Sequence, residues 1–209
     1  MSGGAAAPSA DVPTGNTYDK YGSANPVVRR LMAGFHADLD ELFGRAAPAS
    51  VLDVGCGEGV LTVEWAERLG DGRVVGIDLD DPKLAREWEG RRRPNLDFRV
   101  EEATALSFAD DEFELAAALE VLEHVPAPEE TLAEMARVAS RHLLVSVPRE
   151  PLWRGLNMAR GAYLRDLGNT PGHVNHWSKR SFTALLERYG TVEQLRSPFP
   201  WTMLLVRVP

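Results

Sequence analysis

An α/β fold with a doubly wound, mostly parallel sheet is what this sequence predicts, and three observations carry the prediction. Short apolar runs at 51–54, 73–77, 96–100, 113–119 and 142–147 alternate with helical spacing at 59–69, 82–90 and 128–138, the pattern of strands joined by crossover helices. The first run, Val51-Leu52-Asp53-Val54, leads directly into Gly55-Cys56-Gly57-Glu58-Gly59. The second, Val74-Val75-Gly76-Ile77, ends on Asp78, 23 residues beyond Gly55. In such a sheet the ligand lies outside the carboxyl ends of the strands, where the strand order reverses. Both features fall at strand ends of that kind.

From the N-terminus onward, residues 1–16 are Ala, Gly, Ser and Pro with almost no large apolar side chain, the composition of a disordered tail. The folded domain is expected over 17–209. Tyr18-Asp19-Lys20-Tyr21-Gly22 leads to the first helix, and its tyrosines either close over a ligand or pack on the sheet edge. Asn25 followed by Pro26 is a cap-then-proline start, and Val28, Leu31, Met32, Phe35, Leu39, Leu42 and Phe43 recur at helical spacing, so a cap helix is expected over 26–46. Asp81-Pro82 repeats the start signal. After the strand at 142–147 comes a connection of about thirty residues rich in Trp, Arg, Asn, Gly and His, longer than most and typical of a lid or binding loop. Its bounds are 148–178, with a helical hairpin or cap expected over 152–166 on Trp153, Leu156, Met158, Tyr163 and Leu164. A helix over 179–189 and strands at 191–197 and 202–208 close the chain.

The glycine-rich turn is the most informative stretch. Glycine tolerates positive φ and has no Cβ, so Gly55, Gly57 and Gly59 allow a tight turn, close ligand approach and a close helix start. Dinucleotide loops place the third glycine one residue later, to receive a pyrophosphate at a helix N-terminus. Here that position is Val60, which points to a nucleoside without a pyrophosphate and, together with the later segments at 100–113 and 119–126, away from a nicotinamide dehydrogenase. Asp78 at its strand end can accept both ribose hydroxyls, whose burial without partners would cost about 1 to 3 kcal/mol. Asp53 reads either as a ligand contact or as a carboxylate bracing the loop. Cys56, the single cysteine, permits no intrachain disulfide and fits a reducing compartment. It stands where a small side chain is needed, and no nucleophilic role is expected of it.

Residues 51–59 resemble motif I of the class I S-adenosylmethionine-dependent methyltransferases, and later segments extend the resemblance in order. Asp78 is the second match; Val100-Glu101-Glu102-Ala103, with Leu106-Ser107-Phe108 and Asp110-Asp111-Glu112-Phe113, is the third. The fourth, Leu119-Glu120-Val121-Leu122-Glu123-His124-Val125-Pro126, is similar to the segment after the fourth strand in the ubiquinone-biosynthesis-like (methyltransferase type 11) branch. The resemblance implies a Rossmann-like, seven-stranded sheet with an antiparallel C-terminal edge strand. It also implies S-adenosyl-L-methionine as cofactor and methyl transfer to a small-molecule acceptor at a hydroxyl oxygen. The cofactor contacts it implies are Asp53, Gly55, Cys56, Gly57, Gly59, Asp78 and the adjoining Leu79, Glu102 and Ala103 at the adenine, and Leu119. The family more often has Asp where Glu102 stands.

Glu120, Glu123 and His124 lie within five residues at the mouth of the expected site, and His173 and His176 follow in the lid. Oxygen and imidazole donors suit a divalent metal, which would lower the pKa of an acceptor hydroxyl. In small-RNA 3′-end methyltransferases, which this segment also resembles, Glu-x-x-Glu-His with a later His binds such an ion. By that resemblance the metal ligands would be Glu120, Glu123, His124 and His176, with His173 as the alternative fourth. Without a metal, His124, His173 or His176 is the candidate base that takes the hydroxyl proton. Arg149, Arg154, Arg160 and Arg165 read as anion contacts or as solvated helix faces. Trp153, Tyr163 and Trp177 read as a wall for an aromatic substrate or as core.

Composition narrows the choice. With 44% hydrophobic and 26% charged residues over 209 positions, the chain can build one core. A formal charge of -8 and a pI near 5.2 oppose general nucleic-acid binding, which draws on clustered Lys and Arg. A small-molecule partner is expected instead. No stretch approaches the roughly 20 apolar residues that span a bilayer, and the N-terminus lacks signal-peptide features, so a cytoplasmic location is expected. Two other readings remain beside the small-molecule methyltransferase. One is a metal-dependent RNA-end methyltransferase; the other is a catalytically silent cofactor-binding protein, which would keep Gly57 and Asp78 but have no use for the crowded Glu-His cluster.

Overall fold

A computed structural model describes residues 25–159 and 161–209. The expected tail at 1–16, the Tyr18 to Gly22 segment and Arg160 lie outside the described residues. Helix α1 (Pro26–Ala46) precedes strand β1 (Ser50–Val54), α2 (Val60–Leu69), β2 (Arg73–Asp78), α3 (Pro82–Glu89), β3 (Leu96–Val100) and β4 (Phe113–Leu119). Then follow α4 (Pro128–Val138), β5 (Ala139–Pro148), α5 (Leu152–Ala159), α6 (Lys179–Leu186), β6 (Thr191–Arg196) and β7 (Trp201–Arg207). Both cap-then-proline starts form as the side chains dictate. Asn25 Oδ1 accepts the Val27 N–H at 2.9 Å, and Asp81 Oδ1 accepts the Lys83 N–H at 2.7 Å, each satisfying a donor the first turn leaves over.

The seven strands form one sheet in the order β3-β2-β1-β4-β5-β7-β6. Pairings from β3 through β5 are parallel, while β7 runs antiparallel to both β5 and β6. The antiparallel C-terminal strand expected near this edge is β7, which lies one strand in, with β6 outermost and paired to it. Strand order reverses between β1 and β4, so the turns leaving those two strands flank the crevice in which such folds hold their ligands.

Both faces of the sheet are covered. One face packs Leu52, Phe113, Leu143 and Leu204 against Leu132 and Met135 of α4 and Phe182 and Leu186 of α6. The other packs Val51, Val74 and Leu115 against Phe35, Leu39 and Phe43 of α1 and Trp65 of α2. Phe43 and Trp65 stack at 5.2 Å. Central β4 is buried on both sides along Leu115–Ala118, which explains why its sequence runs apolar without alternation.

The lid is where the expected and observed elements differ. Over 152–166 only α5 and a single 3-10 turn at Leu164–Asp166 form. The chain leaves the helical region at Gly161 (φ 74°) and again at Tyr163 and Leu167, both in the left-handed region, so a second full helix is not available. Side-chain bonds replace it: buried Asn157 donates to Gly168 O (2.8 Å) and Thr170 Oγ1 (3.1 Å). Among the described residues no helix is long and apolar enough to cross a membrane.

Candidate active site

The turn after β1 is shaped by its glycines and by two aromatic rings. Gly55 (φ 70°) and Gly59 (φ 78°) take conformations that L side chains avoid. A Cβ on Gly55 would lie 2.5 Å from Val121 Cγ2, and one on Gly59 would lie 2.6 Å from the Phe98 ring. Gly55 and Cys56 donate their N–H groups to Ile77 O, which ties the turn to β2. Trp88 of α3, stacked on Phe98 at 5.3 Å, donates Nε1–H to Gly57 O at 2.8 Å. These contacts fix the turn.

Two carboxylates lie beneath it. Asp53 is 5% exposed and accepts the Thr62 hydroxyl at 2.7 Å. Burial, reinforced by nearby Asp78, raises its pKa from 3.8 to about 7 against the opposing bond from Thr62. Because the folded value lies above the unfolded one, Asp53 contributes stability that is fully present below about pH 3.8 and is lost as pH rises through about 7. Asp53→Asn should therefore gain stability over wild type, by about 2 to 3 kcal/mol more at about pH 8 than at about pH 5. Denaturant unfolding of the apo protein at both pH values checks this, and an equal difference at the two values would contradict it. Burial, helped by Asp53 and Asp78, also pushes the Cys56 thiol well above its ordinary value, so Cys56 stays protonated and is no nucleophile.

Asp78 faces the turn directly. Its Oδ2 accepts the Gly57 N–H at 2.7 Å and its Oδ1 the Leu79 N–H at 2.8 Å. Burial raises its pKa, opposed by those two bonds. Each oxygen keeps a second lone pair, enough for the two hydroxyls of a ribose. At the end of β3 the backbone is drawn in by Glu101 N–H donating to Asp78 O. The Glu101 carboxylate is engaged by Ser107 through its N–H and hydroxyl, at 3.0 and 2.7 Å. Glu102 stands exposed beside half-buried Ala103, on the side where the adenine is expected.

Across the crevice, the turn after β4 meets the lid. Glu123, His124 and His173 each offer a ligand atom, and these atoms all lie within 4.8 Å of one another. Glu123 is 2% exposed and His173 8%. His124 Nδ1 lies 3.0 Å from Gly172 O; a carbonyl only accepts, so Nδ1 carries the proton and Nε2 faces Glu123 Oε1 at 4.0 Å. The His124 and His173 rings meet edge to face at 4.8 Å, and Trp153 lies nearly parallel to His173 at 6.2 Å. Trp153 in turn donates Nε1–H to Thr170 Oγ1 at 2.9 Å.

The geometry corrects the ligand set expected from sequence. Glu120 and His176 do not join Glu123 and His124, whereas His173 does. Glu120, held at φ 61°, accepts the Ser146 hydroxyl from β5 at 3.0 Å. His176 is exposed, with Nε2 2.7 Å from Asn169 Oδ1. The cause is the intervening backbone, since Val174 and Asn175 both donate N–H to Glu123 O, which fixes His173 inward and leaves His176 outside. Trp177 packs on Phe182 at 5.6 Å as core, and Arg154 is spent on Leu167 O. Sequence reading missed Thr62, Trp88, Asn157 and Asn175. Only the Asn-rich character of the lid hinted at the last two.

A family model described as a methyltransferase domain matches residues 28–192. The ubiquinone biosynthesis O-methyltransferase of Hahella chejuensis is 41% identical over 106 residues, covering 48% of this chain and 44% of the relative. Its namesake from Methylococcus capsulatus is 37% identical over 101 residues, covering 47% and 40%. The match thus spans less than half the length of these relatives. Among solved structures, the magnesium protoporphyrin IX methyltransferase of Synechocystis with bound S-adenosylhomocysteine superposes with a TM-score of 0.66 at 18% identity, covering 90% of each chain. At that identity the likeness speaks to the fold.

Proposed function

Since the chain belongs to the methyltransferase-domain family, we propose that it transfers the methyl group of S-adenosylmethionine to a hydroxyl oxygen of a small molecule. The observation that carries this reading is the convergence of Glu123, His124 and His173 across the crevice from the Gly55 to Gly59 turn. Asp78 would hold the ribose of the cofactor and Glu102 and Ala103 its adenine, and the cofactor would supply the methyl group as an electrophilic sulfonium. The reaction is an in-line displacement: the S–CH₃ bond breaks as the O–CH₃ bond forms, and the sulfonium leaves as a neutral thioether. Holding oxygen and methyl in line is worth roughly 7 to 11 kcal/mol. The hydroxyl proton passes to His124 Nε2, whose lone pair is set by the bond from Nδ1 to Gly172 O.

The same donors suit a divalent cation. One carboxylate and two imidazoles converge, and the backbone carbonyl on His124 Nδ1 is the outer contact that ligating imidazoles commonly have. When bound, the ion would be held by Glu123, His124 and His173 and would acidify the acceptor hydroxyl.

Asp78→Ala should weaken S-adenosylhomocysteine binding by about 1 to 3 kcal/mol. Calorimetry measures this, and an unchanged dissociation constant would remove the ribose assignment. The acceptor class is tested by incubating the protein and tritiated S-adenosylmethionine with a cell extract, then separating organic-soluble metabolites from RNA, with and without chelator. Label in the metabolite fraction is expected, and its loss under chelation makes the trio a metal site. Label in RNA overturns the small-molecule reading, and no label despite cofactor binding points to a silent binding protein.

A further inference from the structure

The lid is joined to the turn after β4 by one side chain that the chemistry above leaves unused. Asn175 donates its Nδ2 hydrogens to Leu122 O at 3.0 Å and Val125 O at 2.6 Å. Its backbone N–H donates to Glu123 O at 3.1 Å, beside that of Val174 at 2.8 Å. One residue therefore grips the start, middle and end of the turn that bears Glu123 and His124. Two positions earlier in the same lid segment, His173 completes the trio, and Gly172 O holds His124 Nδ1.

We propose that Asn175 is a positioning residue, a clamp that docks the lid so that His173 joins Glu123 and His124. The proposal rests on the reading of that trio as the acceptor side of the methyl-transfer site. It says that the acceptor side is complete only while the clamp is closed. The amide orientation follows from chemistry, since two carbonyls can be satisfied only by a donor and the Nδ2 amide group has two hydrogens.

That asymmetry makes a sharp test. Asn175→Asp keeps the shape but turns an acceptor toward two carbonyls, whereas Asn175→Ala leaves room for water to bond them. If the donors matter, Asp is the worse substitution. If only volume matters, Ala is worse. The measurement is hydrogen exchange of the Val174 and Asn175 amides in the full chain, with the amides of β1 and β4 as internal reference, alongside kcat and KM. In Asn175→Asp those two amides should exchange about tenfold or more faster while the reference amides stay unchanged. The value of kcat should fall about tenfold or more with KM for S-adenosylmethionine nearly constant, and Asn175→Ala should lie between Asp and wild type. Unchanged exchange in both variants, or Ala worse than Asp, overturns the clamp. Faster lid exchange in a protein whose wild type transfers no methyl group keeps the clamp and rejects the proposed reaction instead.

Discussion

Replacing His124 with alanine is expected to lower turnover by about 100-fold or more while leaving S-adenosylhomocysteine affinity nearly unchanged. The split follows from where the residue sits. His124 belongs to the turn after β4 and bonds to the lid through Gly172 O, whereas the proposed cofactor contacts lie on the turn after β1, at the ends of β2 and β3, and at Leu119 where β4 ends. Losing the imidazole therefore removes a group that acts on the acceptor and none that holds the nucleoside. Partial recovery of turnover by added imidazole would identify the lost group as the base. Undiminished turnover in His124→Ala would move the proton acceptor elsewhere, and a parallel loss of cofactor affinity would show that the two halves of the site are not separable.

Gly55→Ala is expected to weaken cofactor binding by about 100-fold or more, through two causes that can be separated. The first is conformational: at φ 70° an alanine carries a left-handed penalty of about 1 to 2 kcal/mol. The second is steric: the new Cβ would meet Val121 Cγ2 at 2.5 Å, so the turn after β1 and the turn bearing Glu123 and His124 must move apart. Calorimetry on Gly55→Ala, Val121→Ala and the double variant apportions the two. Partial recovery in the double variant is expected, because it removes the two contacts under 3.0 Å and leaves the Cβ of residue 121 at 3.3 Å together with the backbone strain. No recovery would mean the strain alone governs the loss, and wild-type affinity in Gly55→Ala would remove the turn from the cofactor site.

The sheet and its helices were legible in the sequence because their signals are local. Asn25-Pro26 and Asp81-Pro82 state helix starts through bonds that span only two residues, and the apolar runs state strands by length and flanking turns. The glycine turn was legible for the same reason: positive φ and close approach leave a mark on residue type. The lid was not legible in the same way. Whether His173 or His176 faces Glu123 depends on two backbone bonds to Glu123 O from a segment about fifty residues away in sequence, and no local pattern encodes that. Glu120 misled because its spacing suits a ligand, while its side chain is claimed by Ser146 on the neighbouring strand. Thr62, which supports Asp53, looks like any helix residue until β1 and α2 are packed together.

The most direct test of the account is a crystal structure of the protein with S-adenosylhomocysteine bound. The predicted result places the adenosyl group over the Gly55 to Gly59 turn, both ribose hydroxyls on Asp78, and the sulfur facing the Glu123, His124 and His173 trio. A ligand bound elsewhere, or a sulfur turned away from those three side chains, would contradict it.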